Sequence, residues 1–174
     1  MTLVAGDPAS LSAGAVVAAT GGRRVADLAA PLEEAVTALG VGWPGRVSVQ
    51  VRRSASLAAG SCEDLAAELA LVARALQDHA SDLADLHARE RAVRERAAAA
   101  GLEVRDGRVV PVYGVLGEAD AAAAAAREGT AARLQADLDL VLAQHRRRRD
   151  FLLTLLRESA TRLDGTSTRL RRGP

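Results

Sequence analysis

The side chains able to do chemistry are few and widely spaced. His79 stands beside Asp78 and three residues before Asp82, and His145 heads the run Arg146 to Arg149. A shared metal site would need the two imidazoles to converge. Antiparallel pairing of the helices that carry them sets His79 opposite about residue 139, so His145 lies some six residues, about 9 Å, further along. No His-Glu-x-x-His, Glu-x-x-His or cysteine pair occurs, and those are the spacings that bring metal ligands onto one helix face. The histidines therefore read as polar seam residues that fix register. Cys62 falls on an apolar seam and reads as an inert core thiol. The chain has no Gly-x-Ser-x-Gly, no phosphate-cradling glycine loop and no paired-carboxylate constellation. No catalytic, metal or cofactor-binding residue is expected, no small-molecule substrate, and not an enzyme.

Composition narrows the remaining classes. All 23 basic residues are arginine, and lysine, isoleucine and asparagine are absent. Those three have AT-rich codons, so the bias points to a high-GC bacterium before it points to chemistry. Net charge is +1, which supplies no global field to attract nucleic acid or an anionic membrane. Four consecutive arginines spread over every face of a helix, Asp150 follows them, and only Trp43, Tyr113 and Phe151 could stack on bases. A solvated helix face is favoured over nucleic-acid binding. No apolar run approaches the ~18 residues of a membrane span, so no transmembrane segment is expected, and the leading residues lack the basic and apolar regions of a cleaved signal peptide.

The elements that must position these residues are helices. Alanine, leucine and valine supply nearly all the apolar content, and aromatic residues are 2%, which suits helix packing better than a β-sandwich. Asp7-Pro8 opens a first helix, with stripes Leu11, Ala18, Val25, Leu32, Leu39 and Ala15, Gly22, Ala29, Val36. Gly21-Gly22 and Pro31 predict a weakened or broken stretch. The helix is expected to stop at Gly40, with a turn through Gly45. A second helix carries the strongest pattern: Val51, Ala58, Leu65, Val72, His79, Leu86, Val93 and Ala100 every seven residues, accompanied by Ala55, Cys62, Leu69, Leu76 and Leu83. Val47, Val49 and Val51 also alternate as a strand would. Asp106-Gly107 is a favoured two-residue hairpin turn. Pro111 makes the second arm an edge, whose Val109, Val110, Val112 and Tyr113 are the residues expected to take a partner strand. A third helix follows, with stripe Ala131, Leu134, Leu138, Val141, His145, Leu152, Leu155 or Leu156, Ser159 and Leu163, and a frayed polar tail.

The expected fold is all-α: an elongated antiparallel helical hairpin or three-helix bundle, coiled-coil-like, with a short β-hairpin at one tip. Residues 1–100 form the hairpin (helices about 8–40 and 46–100), 101–117 the β-hairpin tip, and 118–174 the third helix and tail. Folding about residue 44 places Leu11 near residue 77. Folding about 106–112 places the alanines 97–100 beside 118–121. The β-hairpin is expected to be an exposed handle outside the core.

Trp43-Pro44-Gly45 lies between the first two helices. With the helix opening at Asp7-Pro8 and the heptad-patterned second helix, residues 7–95 resemble the Trp-x-Gly family of small helical-hairpin proteins exported by type VII secretion systems. The resemblance implies that Trp43 packs at the hairpin turn beside Gly45. It also implies a non-catalytic interaction module that pairs with itself or with a similar helical hairpin through a heptad-patterned face, and secretion without a cleaved signal peptide. The family's export signal places Tyr four residues before Asp or Glu; Tyr113 is followed at that spacing by Gly117, with Glu118 one position later. The alternatives are a cytoplasmic coiled-coil adaptor or structural protein and, less favoured, a nucleic-acid-associated bundle.

Overall fold

A computed structural model describes residues 2–42, 45–112 and 121–172. Among the described residues are three long helices and one small sheet: α1 (Pro8–Gly42), α2 (Arg46–Ala99), β1 (Leu102–Arg105), β2 (Arg108–Pro111) and α3 (Ala121–Arg172). Trp43 and Tyr113 lie outside the described residues. The chain divides into two compact units, one of Met1–Pro8 with His79–Asp150, the other of Ala9–Asp78 with Phe151–Pro174.

The second unit is built on small residues. Pro8 is the first residue of α1, as its fixed φ favours. The helix runs unbroken through both expected weak points. Gly21-Gly22 survives because packing compensates for its poor propensity. A Cβ at Gly22 would lie 3.2 Å from the Ala66 carbonyl oxygen and 3.3 Å from the Leu69 Cβ, so α1 and α2 approach backbone to side chain there. Pro31 is exposed within the helix, where water can serve the carbonyl it leaves unpaired. Ala15, Gly22 and Ala29 are buried, on one of the two expected stripes. Gly14 faces Leu76 and Gly21 faces Leu69, the register expected from folding near residue 44. Val47, Val49 and Val51 are helical, and the alternating strand pattern is not realised. From α3, Arg162 reaches Glu68 through two 2.9 Å bonds and Arg169 reaches Asp64 at 3.1 Å. The Arg162 hydrogen bond, with one from Ser159, holds the Glu68 carboxyl below its usual range. The expected frayed tail is helix as far as Arg172, with Ser159 and Thr166 buried at a seven-residue spacing.

In the first unit the core is leucine-rich. Val93, Ala97, Leu102, Leu134 and Leu138 form one buried cluster, with Leu3, Val104 and Val109 against it. Leu134, Leu138, Val141 and His145 are buried along the expected α3 stripe. The register differs from the expected one. Arg96 pairs with Asp137 at 2.9 Å, not with the chain near 122, and the alanines 121–126 are exposed. The expected fold-back placed the turn inside the β-hairpin. Ala97 instead shares a buried cluster with Leu134 and Leu138 of α3 and Leu102 of β1.

The hairpin forms with the expected turn. β1 and β2 pair antiparallel with Arg105 opposite Arg108, and Asp106 (φ 50°) and Gly107 (φ 80°) both take the left-handed conformation of a two-residue turn. It is not a detached handle. Leu102 is 1% exposed within the helical core, and Gln135 of α3 clasps the turn: its Oε1 accepts the Val109 N–H at 2.8 Å, and its Nε2 donates to the Gly107 carbonyl at 3.1 Å. A lone two-stranded hairpin is marginal in water, and burial of Leu102 supplies what the ladder lacks. Leu102→Ala is expected to cost about 2–5 kcal/mol in denaturant melts. In the other unit, Gly22→Leu is expected to cost about 1–3 kcal/mol by forcing α1 away from α2.

Candidate functional site

The seam of α2 is interrupted at one position. Leu76, Leu83 and Ala97 follow each other at multiples of seven, and the position between Leu83 and Ala97 is Glu90. A carboxylate at such a position must be neutralised or multiply hydrogen-bonded to be tolerated. Glu90 is 1% exposed. Its Oε1 accepts the Leu3 N–H at 2.9 Å and its Oε2 the Val4 N–H at 3.1 Å. Arg94, one turn on, adds two bonds to Oε1 at 3.0 and 2.8 Å. Burial pushes the carboxyl upward, but the two backbone donors and Arg94 outweigh it and hold the group below its ordinary range.

Two histidines complete the enclosure. His87 Nε2 lies 2.9 Å from the Val4 carbonyl oxygen, and His145 Nε2 lies 2.9 Å from that of Ala5. A carbonyl only accepts, so each imidazole carries a proton on Nε2. Residues 3–5 are thus clasped by four hydrogen bonds, all made through their own backbone. Val4 is fully buried, and beyond it Gly6 has φ +119° with Leu83 where a Cβ would stand, 2.8 Å away. The segment ends at Gly6 because only glycine fits that conformation beside Leu83.

His79 is buried a few turns away on α2. Burial lowers its pKa below the usual 6.5; Asp82 opposes this, while the charges of His145 and Arg148 reinforce it. Both histidines that the sequence placed on seams are buried there. His145 has in addition a backbone partner that helix periodicity could not reveal. His87, one residue off the stripe, and Glu90 escaped the sequence reading altogether. The available signal was the charged residue at a heptad core position.

The other sequence-derived residues are dispersed. Gly45 accepts the Val49 N–H through its carbonyl at 3.1 Å, at the entrance to α2. Val109 and Val110 are half-buried and Val112 is exposed, its N–H donating to the Gly101 carbonyl at 3.2 Å. On the outward side of β2 the Val109 N–H is taken by Gln135, and Pro111 has none. The Val104 carbonyl, on the outward side of β1, receives Arg94 at 3.5 Å. Strand addition at Val109, Val110 and Val112 would first have to displace Gln135, so β2 is not a ready edge. Cys62 is half-buried. Within the arginine cluster Arg148 pairs with Asp82 at 2.5 Å and Arg149 with Asp150 at 2.9 Å. A groove of about 390 Å³ between Asp82, Arg89, Gln144 and Arg148 is lined largely by these mutually satisfied groups, with Arg89 bonded to Gln144 at 2.7 Å. Among the described residues no three His, Cys, Asp or Glu side chains are grouped to hold a metal, and no helix is long and apolar enough to cross a membrane.

Compared with known proteins, the chain matches no protein-family model, no curated protein and no solved structure.

The lowered pKa of His79 has a consequence in solution. The unfolded chain takes up a proton on His79 near pH 6.5, whereas the folded chain resists until lower pH. Stability should therefore fall as pH drops from about 6.5 toward the lower folded value, then level off. Urea melts of His79→Gln across this range should lack that part of the slope seen in the parent chain.

Proposed function

We propose that the protein is a non-catalytic helical interaction module of the kind that the resemblance to Trp-x-Gly proteins implies, and that it engages a second copy or a similar helical hairpin through the outer face of α1. The supporting observation is that α1 is apolar on two opposite sides. Ala15, Gly22 and Ala29 face inward and are buried. Val17, Leu28 and Ala35 recur at spacings of eleven and seven residues, which a helix of 3.6 residues per turn places together on the side roughly opposite. Val17 is 72% and Leu28 59% exposed; Ala13, Pro31 and Ala35 are exposed along the same side, with Arg24 its main charged interruption. Single exposed leucines need no explanation, but an apolar stripe along several turns marks an association surface.

The heptad seam of α2, the face expected to meet a partner, is largely occupied within the chain: Leu83, Leu86, Val93 and Ala97 are buried in their own unit. The partner-facing role therefore passes to α1, whose inner contacts need only small residues and leave its larger side chains outside. Export through a type VII system is part of this proposal. It rests on Trp43-Pro44-Gly45 and the order of the helices, and recovery of the protein from culture supernatant only when such a system is intact would support it.

The association claim is tested with Val17→Glu combined with Leu28→Glu. Both positions are exposed, so helix content and folding stability should stay within about 0.5 kcal/mol per site. Self-association, or binding to a helical-hairpin partner, should weaken at least about tenfold by sedimentation. Unchanged association would remove α1 from the interface.

A further inference from the structure

We propose that the cleft formed by His87, Glu90 and His145 is a peptide-recognition site, held here by the chain's own residues 3–5, and that it can take an equivalent segment supplied in trans. This inference is independent of the outer face of α1. The ligand class follows from the contacts. Glu90 takes two consecutive backbone N–H groups, those of Leu3 and Val4, and His87 and His145 donate to two consecutive carbonyls, those of Val4 and Ala5. None of these bonds involves a side chain of the segment. Selectivity comes from Val4, which is fully buried, while Thr2 and Ala5 are exposed. The site therefore fits a short peptide with a β-branched apolar residue between two hydrogen-bonding peptide groups, followed by glycine or a chain end where Leu83 closes the cleft.

Such a cleft cannot rest empty at low cost. With the segment seated Glu90 is 1% and His145 7% exposed; dislodging it gives up its four hydrogen bonds to Glu90, His87 and His145 and the burial of Val4. Tethering gives the chain's own segment a high effective concentration, so an outside peptide competes poorly until the segment is dislodged. Segment and site thus behave as an intramolecular ligand and its receptor.

The test uses the full chain carrying Val4→Arg, which cannot bury its side chain in the cleft. Circular dichroism is expected to show helix content close to the parent. A fluorescein-labelled, N-acetylated peptide of residues 2–7 should bind this variant saturably by anisotropy. It should bind the parent chain at least tenfold more weakly, because the resident segment competes. The same peptide N-methylated at Leu3 and Val4 lacks the two donors that Glu90 requires and should not bind. Three outcomes would overturn the proposal: a helical Val4→Arg chain that fails to bind the peptide, equal binding by the parent or by the methylated peptide, or loss of helix in Val4→Arg, which would make the segment an inseparable part of the core.

Discussion

A single buried carboxylate sets the terms for the unit built around it. Glu90 occupies a position in α2 where the repeat calls for an apolar side chain, and an unpaired charge there would cost several kcal/mol, on the order given by buried-ion penalties. It is tolerated because Leu3, Val4 and Arg94 bring donors to both oxygens. The constraint propagates outward. Once the Leu3 and Val4 amides are fixed, the Val4 and Ala5 carbonyls need donors, and His87 and His145 supply them. With the segment seated, Leu3 lies against the cluster that also holds Leu102, Leu134 and Leu138. One charge placed on a helix seam thus orders a stretch of chain that has no helix or strand of its own.

The second unit solves a different problem with different residues. Its helices have almost no aromatic volume to bury, so closeness replaces bulk: Gly14, Gly21 and Gly22 admit Leu76 and Leu69 toward the α1 backbone. Small inward residues bury little area each, and close approach recovers dispersion contacts over the helix length. The pairs Arg162–Glu68 and Arg169–Asp64 lie at exposed arginines and contribute more to register than to stability. The same economy leaves Val17 and Leu28 on the outside, where the proposed association surface lies.

Much of the fold was legible from periodicity. The long helices, the α3 stripe through Leu134, Leu138 and Val141, the α1–α2 register and the Asp106-Gly107 turn all follow from spacing and local propensity. Continuity through Gly22 was not legible, because a tertiary contact with Ala66 and Leu69 overrides a propensity penalty. The α2–α3 register, set by pairs such as Arg96–Asp137, was missed because periodicity fixes which face of a helix is apolar but not where along a partner it sits. Docking of Leu102 and the Gln135 clasp depend on side chains distant in sequence. The Glu90 site was hardest to see, since its ligand is backbone and carries no side-chain signature; the heptad violation at Glu90 was the one trace. The heptad repeat announces that helices associate, whereas its exception shows where a further segment docks.

The central claim, that the buried Glu90 carboxylate captures the backbone of residues 3 and 4, is tested most directly by amide hydrogen exchange at single-residue resolution on the full chain. A segment outside helix and sheet ordinarily exchanges near the unstructured rate. The Leu3 and Val4 amides should instead be protected at least about a hundredfold relative to that rate, in step with the α2 amides beneath them. Exchange of Leu3 and Val4 at the unstructured rate, with α2 still protected, would contradict the account.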